Sequence, residues 1–246
     1  MLIRISLKKK IIVFSVAAVI GIGMIIHAGI DNYHYNHEVK NIGNNLPMNS
    51  SITGTGTKET LQQDKEIQEK QAQQQEEDKK KEEQQKQLED KYNAAFTAFH
   101  NKSYNEAINI SNDIISVDAG FYKAYSIKGI AQCYSDNYIE GMQNIDKALE
   151  IKNDYGYGLF NKALALELYA HYDEAIQWYD KALSMENYVW SYYGKASIYG
   201  RKGDAVNAAA NLKTAIAMDS SVMDLAKQEP DFDNVRDSEE FKELFK

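Results

Sequence analysis

The chain of 246 residues contains one cysteine, Cys133, and two prolines, Pro47 and Pro230. A single cysteine excludes an internal disulfide framework and a cysteine-rich zinc site, and a lone buried cysteine behaves as a small apolar residue. The absence of proline between Pro47 and Pro230 suits a nearly all-helical chain, because proline removes a helix hydrogen bond and clashes with the preceding turn. Basic charge is in short supply too. Lys and Arg number 28 against 36 Asp and Glu, a formal net charge of −8. Nucleic acid binds through basic patches and is therefore not an expected partner. The chain also lacks a phosphate-binding glycine loop, a nucleophile elbow and a paired-His zinc signature. His100 and His171 fall at turns, where solvent is the expected neighbour. No convergent set of polar groups can be assembled, so no enzyme activity, cofactor, metal or small-molecule substrate is expected.

What the chain has begins with an apolar run. Arg4, Lys8, Lys9 and Lys10 close a basic segment, residues 1–10, and residues 11–30 follow without a charge. Twenty such residues in a helix span a hydrocarbon core of about 30 Å. Positive charge before the run and Asp31 after it predict a cytoplasmic N-terminus, with the remainder outside the cytoplasm. The alternative is a signal peptide, after whose cleavage the chain would be secreted; Ile26-His27-Ala28 is a poor cleavage site for it. His34 and His37 follow, with only Glu38 near them. They read as a solvated juxtamembrane segment, and Tyr33 and Tyr35 suit an interfacial aromatic belt. Residues 31–57 end in Thr53-Gly54-Thr55-Gly56-Thr57 and read as a flexible linker.

Residues 58–87 form a spacer of Gln, Glu and Lys. Over residues 58–90 there are 7 Lys against 11 acidic residues. Glu66 and Lys70, Glu76 and Lys80, Glu77 and Lys81, and Glu82 and Lys86 each stand four apart with the acid first, the order that supports a helix. Leu61, Ile67, Ala72 and Leu88 keep no heptad, which argues against a coiled coil. A solvated, partly frayed single helix and a disordered segment both fit this composition.

Beyond the spacer the sequence repeats. The segments beginning Tyr104, Tyr138, Tyr172 and Ala205 align, and their small residues Ala107, Gly141, Ala175 and Ala208 lie 34, 34 and 33 apart. Upstream, Ala95, Gly129, Ala163 and Ala196 keep the same spacing, and downstream Ile114, Ala148, Ala182 and Ala215 keep it too. Small residues let two helices cross closely while larger apolar neighbours fill the grooves around the contact. Each hairpin then exposes an apolar face that the next one covers. A helical-hairpin period near 34 with this small-residue pattern resembles the tetratricopeptide repeat (TPR) family, over residues 88–222, in four repeats: 88–121, 122–155, 156–188 and 189–222. Ala148-Leu149-Glu150-Ile151, and Tyr172-Asp173-Glu174-Ala175-Ile176 with Ala182-Leu183, carry the resemblance most strongly. It implies an all-α solenoid. The family's closing proline is replaced by Ala119, Asn153, Asn187 and Ser220, and its leading Trp by Lys91, Tyr125, Leu159 and Tyr192. The first repeat also carries Ser111 where the later ones have Ile145, Tyr179 and Leu212. Residues 223–246 break the period and are expected to cap the stack, with Pro230 ending one helix and Ser238 capping a last short one.

In that family the first helix of each repeat lines a concave face that binds a protein or peptide. The resemblance places Tyr92, Phe96 and Phe99 there from the first repeat and Lys123, Ser126, Ile130 and Cys133 from the second. Tyr157, Phe160, Leu164 and Glu167 follow from the third, and Trp190, Tyr193 and Ser197 from the fourth. Aromatic residues of this kind either form binding hot spots or pack between repeats. The basic set that clamps chaperone carboxylates is not present, since Tyr92, Phe96 and Asn161 stand there instead. Lys128, Lys162 and Lys195, recurring at the repeat spacing, read as snorkelling over the hairpin surface. The functional expectation is a membrane-tethered scaffold or adaptor. The alternative is a membrane-bound holdase for translocated or unfolded chains.

Overall fold

The structure is a computed structural model that describes residues 58–246, with side chains from residue 66 onward. The expectations for the basic segment, the apolar run 11–30, the linker and the His34/His37 pair lie outside the described residues. Among the described residues no helix is long and apolar enough to cross a membrane.

All regular structure described is helical. The helices are α1 (Lys58–His100), α2 (Tyr104–Val117), α3 (Tyr122–Tyr134), α4 (Tyr138–Ile151), α5 (Gly156–Leu168), α6 (Tyr172–Met185), α7 (Val189–Lys202), α8 (Ala205–Met218), α9 (Val222–Gln228) and α10 (Glu239–Lys242). Short 3-10 turns at Pro230–Phe232 and Glu243–Phe245 complete them. Residues 91–246 belong to one compact unit, and residues 58–90 to another. The spacer is helical in the structure. It belongs to one unbroken helix of 43 residues, about 64 Å at 1.5 Å per residue. Its polar surface is supported by pairs such as Glu76 and Lys80, 2.9 Å apart. Such a pair contributes about 0.2–0.5 kcal/mol.

From α1's last ten residues onward the helices form antiparallel hairpins: α3 packs on α4, α5 on α6 and α7 on α8. The small residues explain the closeness. Ala95, Ala107, Ala148, Ala163, Ala175, Ala182, Ala196, Ala208 and Ala215 are all buried. Gly129 and Gly141, also buried, meet where α3 crosses α4. A Cβ on Gly129 would lie 2.6 Å from the Gly141 carbonyl oxygen, and one on Gly141 would lie 2.7 Å from the Gly129 oxygen. Ser111, the polar exception of the first repeat, is buried and donates its hydroxyl to the Ala107 carbonyl at 2.7 Å.

Two kinds of turn repeat along the stack. Within each hairpin one residue is left-handed: Lys102, Asp136, Ala170 and Gly203, with φ between 63° and 75°. The next residue's N–H returns to a carbonyl five residues back, as in Ser103 to Ala98 and His171 to Leu166 at 2.9 Å. That bond satisfies a carbonyl which the helix end leaves open. The cost of a left-handed Cβ is about 1 kcal/mol. Ala170→Gly is therefore expected to stabilise the third hairpin by about 1 kcal/mol, read from the denaturation midpoint. At two of the four positions that lack the proline, an aspartate side chain holds the turn by a hydrogen bond. Asp118 Oδ1 accepts from Gly120 N at 2.8 Å, and Asp219 Oδ1 accepts from Ser221 N at 2.9 Å.

Residues 222–246 form a clasp over the last hairpin. The Pro230–Phe232 turn packs on α7, and α10 packs on α8. Gly200 makes room for it, because a Cβ there would lie 2.6 Å from the Asp231 carbonyl oxygen and 2.7 Å from the Phe232 ring. Ser238 caps α10 by accepting from Phe241 N at 3.2 Å.

Candidate interaction surface

The first helices α3, α5 and α7 touch in succession, so residues at one repeat position become neighbours on one face. The face is aromatic. The Phe96 ring lies 5.8 Å from Tyr157, Tyr157 lies 5.8 Å from Phe160, and Phe160 lies 5.0 Å from Tyr188. The Tyr92 and Tyr155 hydroxyls are 3.4 Å apart. Residues of the first repeat thus reach the third directly. The second repeat offers Ser126 where its neighbours carry Tyr92 and Phe160, and Asn161 donates to the Ser126 hydroxyl at 2.9 Å.

Of the nine residues nominated from sequence, Tyr157 is half-buried. Tyr92, Phe96, Phe99, Ile130, Phe160, Leu164, Trp190 and Tyr193 are buried. The rings bring Tyr92, Phe96, Tyr157 and Phe160 into one cluster. Phe99 packs against Tyr134 at 5.5 Å. Trp190 stands 5.6 Å from Tyr193, which in turn meets Phe232 of the clasp at 5.9 Å. Tyr188, half-buried and in contact with both Tyr157 and Phe160, is a member of the face that the sequence reading missed. Its signal is the 33-residue recurrence of Tyr122, Tyr155 and Tyr188 at successive first-helix starts.

A buried polar cluster closes the far end of this face. Glu167 accepts from the Tyr179 hydroxyl at 2.7 Å and from Ser197 at 3.1 Å, and Arg201 lies 3.7 Å from it. Arg201 pairs with Asp231 of the clasp and donates to Tyr172 at 3.3 Å. Burial, then Glu167, holds the Tyr179 hydroxyl well above the usual phenol range. Glu167 and Ser197 were legible as first-helix residues, but Arg201 and Asp231 were not singled out. The available signal was Arg201 itself. It is one of three arginines in the chain and sits at the first-helix position held by His100, Tyr134 and Leu168 in the other repeats.

His100 corrects an expectation. It is not solvated: its ring lies 4.2 Å from Phe96 and 5.2 Å from Phe99, with Nε2 buried and unbonded. Burial lowers its pKa to about 4. The proton therefore prefers the unfolded chain, and the neutral ring's contribution is complete above about pH 6.5 and lost as pH falls toward 4. His100→Leu is expected to flatten stability against pH in that window by about 2 kcal/mol, measured by denaturant titration at pH 7 and pH 4.5. Cys133 behaves as its sequence context indicated. It is buried and its thiol is pushed up to about 12 by that burial. A thiol reagent that labels the unfolded chain at once is expected to leave the folded chain unmodified at pH 8.

The recurring lysines do more than cover the hairpins. Lys162 of α5 reaches Asp146 of α4, and Lys195 of α7 reaches Asp180 of α6, both at 2.5 Å. Each pair ties a first helix to the second helix of the preceding hairpin. Lys128 has Asn112 at the matching place.

No family model matches the chain. A TPR repeat-containing protein of Methanocaldococcus jannaschii is 30% identical over 115 residues, which is 46% of this chain and 20% of that protein. The chain thus spans about a fifth of the length of the curated relative it matches. Among solved structures, a thermophilic TPR protein of Thermus thermophilus superposes with a TM-score of 0.52 at 16% identity, covering 58% of this chain and 79% of that one. That likeness shows the fold, an all-α TPR-like solenoid of consecutive helical hairpins, and the named relative supports a TPR repeat protein.

Proposed function

We propose that the chain is a protein-interaction scaffold that reads a protein or peptide segment along its first-helix face. The observation that carries this reading is the unbroken ring contact from Phe96 through Tyr157 and Phe160 to Tyr188, which joins the first and third repeats in one aromatic face. Rigid amphipathic rings lose little entropy on binding and dominate interaction hot spots. An extended segment laid along the face would meet the half-buried rings Tyr157 and Tyr188. The reading includes a membrane tether through residues 11–30, with the hairpins outside the cytoplasm and the charged helix as spacer. Its support is the uncharged twenty-residue run behind Arg4, Lys8, Lys9 and Lys10.

The test is site-specific photo-crosslinking in the native host. A photoreactive residue replaces Tyr157 or Tyr188 in turn, and exposed Val206 of α8 serves as the control. A discrete adduct from Tyr157 and Tyr188, absent from Val206, is the expected result. Adducts from Val206 alone would move the surface to the second helices. A smear of unrelated adducts at all three sites would favour the holdase.

A further inference from the structure

The clasp contains one carboxylate more than its buried cation can serve. Asp231 pairs with Arg201. Two residues earlier, at the end of α9, Glu229 is also buried, with 7% of its surface exposed. Its backbone carbonyl accepts from Arg236 at 2.8 Å, so Arg236 fixes the main chain there. Tyr193 of α7, the residue that receives Phe232, has a buried hydroxyl with no hydrogen-bond partner. The ionisable groups that act on Glu229 are Asp231 beside it in the turn, Arg201 and Tyr193 of α7 and Glu167 of α5, while a hydrogen bond from the Asp231 main chain and the Arg201 charge oppose, without outweighing, its burial. Lys227 and Arg236 lie on its own segment. A buried carboxylate next to a second one already engaged by the local cation holds its proton more readily than water would allow.

We propose that the clasp, residues 222–246, is a proton-dependent latch: Glu229 is buried in the docked clasp as the neutral acid, and its ionisation loosens the clasp from the end of the stack. Burial first, then Asp231, raises the Glu229 carboxyl to about 7. The sign follows directly. The docked state binds the proton more tightly than the free segment does, so docking weakens as pH rises from about 4.5 to 7 and levels off above. The partners of the latch are mechanical. Phe232, Val235 and Phe241 are almost wholly buried by docking, and Gly200 leaves room for the turn to sit flush. An undocked clasp uncovers Tyr193 and the apolar end of the last hairpin.

Hydrogen exchange of the full chain tests this, with protection factors for residues 222–246 corrected for intrinsic rates at pH 5.0, 6.25 and 7.5. Protection in the clasp is expected to fall on the order of fiftyfold between pH 5.0 and 7.5. Protection in α3 to α6 serves as the internal reference. Glu229→Gln is expected to abolish the dependence and keep the clasp protected at pH 7.5. His100→Gln and His171→Gln, which remove the two histidines of the described residues, are expected to leave it intact. Clasp protection that does not change with pH in the wild type overturns the proposal, and that measurement needs no variant. An unchanged slope in Glu229→Gln overturns it equally.

Discussion

Gly129→Ala is expected to destabilise the second hairpin by about 2–3 kcal/mol, although alanine is the better helix former by about 1 kcal/mol. The reason is what the new methyl would meet. It would stand 2.6 Å from the Gly141 oxygen, 2.7 Å from the Ile145 side chain and 2.8 Å from the Ile145 amide nitrogen. Two of those three atoms are backbone, so no side-chain rotation relieves the contact, and α3 must lift off α4. Gly141→Ala meets the same obstacle from the other side, against the Cys133 sulfur and the Gly129 oxygen. The double substitution is expected to cost less than the sum of the two, because one separation of the helices accommodates both methyls. Urea denaturation read by circular dichroism checks all three. Gly203→Ala provides the contrast. Nothing lies within 4 Å of its Cβ position, so only the left-handed backbone, at about 1 kcal/mol, opposes it.

Arg201→Ala is expected to cost about 3–5 kcal/mol, concentrated in α7 and the clasp. The loss is not that of one salt bridge. Removing the guanidinium leaves Asp231 without its cation and removes a positive charge 3.7 Å from the buried Glu167. It also takes a donor from the Tyr172 hydroxyl and the guanidinium from beside the Tyr172 ring. Arg201→Ala combined with Asp231→Ala is expected to recover part of the loss, because the stranded carboxylate goes with its partner. Arg201→Met, which keeps the apolar stem, separates packing from charge. Hydrogen exchange by segment locates the damage. If α3 and α4 lost as much protection as α7, the cluster would not be a local fastening of the clasp.

The repeat was the legible part of this chain because its physics is periodic. Eleven small residues at three recurring positions marked where helices cross, and those positions are buried at every crossing. The caps at Ser238 and the break at Pro230 were legible because each is a local matter of one donor and one ring. What depended on contacts between repeats was not. His100 is a separate case: it looks like a turn residue, yet Phe96 four residues before it and Phe99 beside it lie against its ring on the same helix, a local signal that the turn reading overlooked. Arg201 and Asp231 lie 30 residues apart with no shared motif, and their meeting follows from where the clasp folds back. The aromatic face was legible as a list of rings, but its continuity was not. It depends on Ser126 being small enough for the first and third repeats to touch. The spacer composition was compatible with order and disorder alike.

The left-handed residues at the hairpin turns have a consequence for how such a chain can change. Lys102, Asp136, Ala170 and Gly203 occupy one position of the period, and each hairpin carries its own closing hydrogen bond. A cut just after one such residue, rejoined just after the next, removes 33 or 34 residues and restores the same turn, the same crossing position and the same exit. Length in this molecule is therefore a stepwise variable. It can lose or gain whole hairpins without any new connecting loop.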